Sequence, residues 1–77
     1  MPTLQRFGLV SLRIYADDHN PPHFHLVAAE FQVLVRISDC CVIAGLAPPA
    51  RIAEALAWAR QNREFLARKW AELNQRS

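Results

Sequence analysis

The feature that most limits what this chain can become is a match between two neighbouring runs, "HFHLVA" at 23–28 and "FQVLVRI" at 31–37. In an extended chain successive side chains point to opposite faces. The first run therefore sets Phe24, Leu26 and Ala28 against His23, His25 and Val27. The second sets Phe31, Val33, Val35 and Ile37 against Gln32, Leu34 and Arg36. With Ala29 and Glu30 as the turn, Ala28 faces Phe31, Leu26 faces Val33 and Phe24 faces Val35. The other face pairs Val27 with Gln32, His25 with Leu34 and His23 with Arg36. A slip of one residue would turn the whole apolar set outward, so the register is fixed by the pattern itself. The dipeptide "AE" is weak chemistry for a two-residue turn, where glycine or asparagine is preferred, and a longer or bulged turn stays open.

The same alternation extends upstream through "FGLVSLRIYA", where Val10, Leu12 and Ile14 oppose Ser11, Arg13 and Tyr15. It extends downstream into "CCVIAG", a fourth and shorter strand candidate. After Pro48 and Pro49, which suit a helix start, the composition turns to Ala, Leu, Arg and Glu. There Ile52, Leu56, Ala59, Leu66, Trp70 and Leu73 recur at steps of three and four, an apolar helical stripe. Arg63 interrupts the stripe inside "RQNR", where Asn62 is placed to cap a second helix. The expectation is a single α+β domain over 1–77. Its strands fall within 7–44, as a three- to four-stranded antiparallel meander. A long, kinked helix or a helix pair over 49–75 covers one face.

A chain of 77 residues has one modest core. Hydrophobic residues make up 52% of it, more than such a core needs, which points to apolar surface meant for a partner. Leu9, Leu34, Val27, Trp58 and Phe65 fall outside the two core stripes. Self-association or a heterocomplex is expected on that basis, although Trp58 and Phe65 equally suit the flank of the core. The net charge of +2 is no nucleic-acid signature by itself. No signal-like segment opens the chain and no apolar run is long enough to span a bilayer, so no membrane role is expected. Cys40 and Cys41 are neighbours and cannot form a disulfide framework; they read as small apolar strand residues kept reduced, which fits the cytoplasm.

The helical cover turns one sheet face inward and leaves Arg13, Tyr15, His23, His25 and Arg36 together on the other. All three histidines of the chain lie between His19 and His25, around Pro21 and Pro22. Three readings of them stay open. In the first, the prolines impose an extended, rigid approach to the strand, and Asp18, His19 and Asn20 bond the loop backbone. In the second, His19, His23 and His25 with Arg13 carry out metal-independent acid–base chemistry on RNA. Arg6, Arg36 and Tyr15 would then bind phosphate or base. In the third, His19, His23, His25 and Asp18 hold zinc. Arg13 and Arg36 oppose a cation there, so little or no zinc is expected in the purified protein, and no cofactor is the primary reading.

The residues "RFG" at 6–8, Tyr15, "DHNPPHFH" at 18–25 and the tryptophan-bearing helical segment resemble a family of small bacterial proteins, domain of unknown function 4160. Asp18, His19, Pro21, Pro22, His23, Phe24 and His25 match the family's motif, with Arg6, Tyr15, Trp58 and Trp70 around it. The resemblance implies a toxin–antitoxin-like module in which the chain acts through a second small protein encoded nearby. It leaves open which member of the pair this is and whether RNA is involved. Two departures stand out: the hairpin lacks a glycine that relatives carry, and Asn62 stands where a histidine is frequent.

Overall fold

The computed structural model describes residues 3–16 and 19–74. Five strands form one sheet in chain order, β1 (Thr3–Phe7), β2 (Val10–Arg13), β3 (His23–Val27), β4 (Gln32–Arg36) and β5 (Val42–Ala44), every neighbouring pair antiparallel. Two helices follow, α1 (Pro49–Gln61) and α2 (Arg63–Asn74). The fold is α+β with a helix pair, and the strand count is five rather than three to four.

The extra strand is β1, most of which lies upstream of the range expected for strands. "TLQRF" shows little alternation because β1 is a sheet edge, with a bulge between Thr3 and Gln5 and only Leu4 and Phe7 partly buried. What reads as one long strand from Phe7 is broken by a two-residue turn, Gly8–Leu9, across which Phe7 pairs with Val10. Gly8 has φ 61, the first-position requirement of a type II′ hairpin turn.

The β3–β4 hairpin has the register that the alternation dictates. His23 pairs with Arg36, Phe24 with Val35, His25 with Leu34, Leu26 with Val33 and Val27 with Gln32. Ala28 donates its N–H to the Phe31 carbonyl at 2.9 Å, closing the turn over Ala29 and Glu30 without a positive φ at either. Packing of the apolar face thus outweighs poor turn chemistry. Cys40 and Cys41 lie in the β4–β5 turn rather than in a strand. Cys40 is buried in the left-handed region with φ 56. Asp39 braces this turn by accepting the Cys41 N–H and two donors from Arg36.

The apolar face carries Val10, Leu12, Ile14, Phe24, Leu26, Val33 and Val35, and it is covered by Ile52, Ala55, Ala59, Leu66 and Trp70 of the helices. The helices break at Asn62. Its N–H bonds the Ala59 carbonyl, its side-chain amide donates to the Trp58 carbonyl at 2.8 Å, and its own carbonyl accepts the Leu66 N–H. The side chain therefore closes α1 rather than capping α2. Arg63, in the expected apolar slot, is exposed and reaches the Ser38 carbonyl. Trp58 sits between Phe7 and Phe65 at centroid distances of 5.9 and 6.3 Å, so these two helix aromatics flank the core. Among the described residues no helix is long and apolar enough to cross a membrane.

Candidate functional site

On the face away from Phe24 and Val35, three strands lay down a row. Arg13 of β2 pairs with His25 of β3, which pairs with Leu34 of β4. One step toward the loop lie His23 and Arg36; one step the other way lie Ser11, Val27 and Gln32. Cross-strand partners share a face, so the alternation does bring Arg13, His23, His25 and Arg36 onto one surface.

That surface is not an open one. His23 is 1% exposed and His25 8%. The rings form a chain: Tyr15 meets His25 edge-on at 4.4 Å, His25 lies 5.0 Å from His23, and His23 lies 5.8 Å from His19 and 5.1 Å from Trp70. Trp70 belongs to α2 and is part of the apolar core, so the ring of His23 touches the helix layer as well as its own face. Asn74, one turn further along α2, donates to the Tyr15 carbonyl at 3.1 Å.

Each buried ring is held through Nδ1. His23 donates from Nδ1 to the Pro21 carbonyl at 2.8 Å, two residues back. The side-chain amide of Gln32 donates to Nδ1 of His25 at 3.0 Å. A neutral His23 thus carries its proton on Nδ1, and a neutral His25 on Nε2. The loop before β3 is pinned a second time, where Ile37 donates its N–H to the Pro22 carbonyl at 3.1 Å. The Asn20–Pro21 bond is cis, and Phe24 is wholly buried in the core.

Two of the cations expected to bind phosphate have partners within the protein. Arg36 is committed to Asp39 by two bonds of 3.0 and 2.6 Å, and that guanidinium holds the Asp39 carboxyl well below the usual carboxylate range. Arg6 donates to the Ser11 hydroxyl at 3.3 Å. Arg13 is partly buried, and its Nε is enclosed with no hydrogen-bond partner among the described residues. His19 is exposed in the loop. Asp18, expected as a loop-bonding residue or a zinc ligand, lies outside the described residues. Among the described residues no three His, Cys, Asp or Glu side chains gather as a metal would require.

Two features escape the sequence reading. Gln32 reads only as a polar strand residue, yet the register that pairs Val27 with Gln32 sets it diagonal to His25. The exposed apolar residues are also different ones: Val42, Ile43 and Leu46 join Leu9, while Trp58 and Phe65 pack inward. Val42 and Leu46 line a groove of about 470 Å³ between β5 and α1, floored by Val33 and walled by Ile52 and Leu56.

A five-stranded antiparallel meander under a helix pair, with a histidine-bearing strand at its centre, defines a small α+β domain whose two strand histidines are buried. The chain belongs to the family described as Domain of unknown function (DUF4160), whose model matches residues 10–71. No curated protein and no solved structure matches it.

Proposed function

We propose that this chain acts by binding a second protein, as one member of a toxin–antitoxin-like pair, and that its histidine cluster braces the sheet rather than performing catalysis. The observation that carries this reading is the apolar surface at the β5 edge. Val42 and Ile43 are exposed on an edge strand whose outer side pairs with no strand among the described residues, and Leu46 beside them is 91% exposed. Water disfavours such a run, and a partner that covers it gains the area. An edge strand also offers backbone groups for pairing.

The burial of the histidines supports the same reading. Acid–base work on a phosphodiester needs ring nitrogens within hydrogen-bond reach of the substrate. His23 is enclosed, and both Nδ1 atoms already bond within the protein. The test is co-expression with the small protein encoded beside it, followed by affinity capture and sizing. A complex is expected that survives His19→Ala and is lost in Ile43→Asp or Leu46→Asp. No complex, or RNA cleavage by the purified chain that His25→Ala abolishes, would sink the proposal.

A further inference from the structure

The groove between β5 and α1 does not end in apolar surface. Arg60 lines its end and also lines the adjoining recess, together with Arg63, Arg68 and a single carboxylate, Glu64. The two hollows share Arg60, where a mostly aliphatic lining gives way to a cationic one. Arg60 and Arg68 make no ion pair with the described residues, and Arg63 spends one donor on the Ser38 carbonyl at 3.1 Å. No carboxylate lines the apolar part of the groove.

Resting on the partner-binding reading above, we infer that the groove takes a segment of the partner protein that seats large apolar side chains against Val33, Leu46 and Leu56 and, just beyond them, places an aspartate or glutamate on Arg60, Arg63 and Arg68. Charge complementarity selects this occupant. A second copy of the chain meeting the groove about a two-fold axis would present the same patch to itself, setting three arginines against three with only Glu64 from each copy as counter-charge. A nucleic acid would satisfy the arginines but would leave its phosphates beside an aliphatic wall. Arginine is also a residue that protein interfaces favour.

The probe is a library of random 12-residue peptides displayed against the purified full chain, with sedimentation of the chain alone in parallel. Leu46 and Arg60 are both exposed, and circular dichroism of Leu46→Asp and Arg60→Glu checks that each variant keeps the fold. Enriched peptides are expected to carry at least two large apolar residues followed closely by Asp or Glu. Leu46→Asp should abolish their capture, and Arg60→Glu should weaken it by about tenfold, the equivalent of roughly 1.4 kcal/mol. Enriched peptides that need Leu46 but lack acidic residues, or that are indifferent to Arg60→Glu, would overturn the acidic-segment inference and leave partner binding standing. A dimer of the chain that Leu46→Asp dissolves would overturn it in favour of a second copy. No enrichment, combined with a partner complex indifferent to Leu46→Asp, would remove both proposals.

Discussion

Replacing His23 by alanine separates a bracing histidine from a reactive one. The ring is 1% exposed, lies 5.1 Å from Trp70 and bonds the Pro21 carbonyl at 2.8 Å. Its removal leaves a cavity against the helix layer and an unsatisfied carbonyl in the loop. Truncating a buried ring of this size costs about 2–4 kcal/mol, of which about 1 kcal/mol is the lost hydrogen bond. A chain of 77 residues has a total stability of about 4–12 kcal/mol at 0.05–0.15 kcal/mol per residue. A loss of about 3 kcal/mol is thus a large share, and at roughly 4–8 °C per kcal/mol it lowers Tm by about 12–24 °C. His23→Asn, whose amide nitrogen stands close to where Nδ1 stands, should recover about 1 kcal/mol of this by restoring the bond to Pro21. His19→Ala, in the exposed loop, should stay within about 0.5 kcal/mol of the parent. Thermal and urea unfolding followed by circular dichroism measure all three. A His23→Ala protein melting within about 2 °C of the parent would contradict the burial on which this reasoning rests.

Gly45→Ala should destabilise by more than about 1 kcal/mol, because the residue sits at φ 86 and an added methyl would collide with the Gln32 carbonyl; urea unfolding checks it. Cys41 should react readily with a thiol reagent in the native protein. Cys40, buried and with its thiol pushed up by burial, should react only on unfolding, and two equally fast thiols would refute this. Asp39, held below the ordinary carboxylate range by Arg36, contributes stability that is present above the unfolded value and is lost as pH falls through the folded one. The Asp39 carboxyl should therefore titrate in strongly acidic solution, and Asp39→Asn should remove that part of the acid sensitivity, both read by NMR. An ordinary carboxylate titration would show that the Arg36 clamp does not form.

What the sequence makes legible follows from where burial is one-sided. The β3–β4 register is readable residue by residue because Phe24, Leu26, Val33 and Val35 must share a face, and that demand overrides the poor turn at Ala29–Glu30. β1 is not readable, since an edge strand with a bulge buries too little to impose alternation on "TLQRF". The helix break is visible as "RQNR", but Asn62 serves α2 only through its carbonyl, which accepts the Leu66 N–H. Its amide donates backward to Trp58 and so closes α1, a choice set by local geometry that the residue type does not specify. Cys40 reads as a strand residue because cysteine is small and apolar. The turn places it at φ 56 only because Asp39 and Arg36 fix the residues around it.

The histidine motif is legible in its placement and misleading in its exposure. Alternation puts His23 and His25 on the face opposite the core, which suggests an open surface, and the cross-strand pairs with Arg36 and Arg13 agree with the placement. Around the two rings stand the Tyr15 ring and the Gln32 amide, which alternation does place on that face, and the Pro21 carbonyl and Trp70 of α2, which it does not report. Within the run of histidine and proline, His23 spends its Nδ1 on the Pro21 carbonyl and His25 spends its Nδ1 on the Gln32 side chain. Chemistry requires a ring nitrogen that a substrate can reach, and a strand pattern does not report how deeply the rings are buried. The apolar run at Val42, Ile43 and Leu46 lacks any recognisable motif, yet it is there that the folded chain leaves large side chains in water. Surface that a fold fails to cover is visible only after the helices have been placed, which is why alternation alone does not single out Val42, Ile43 and Leu46.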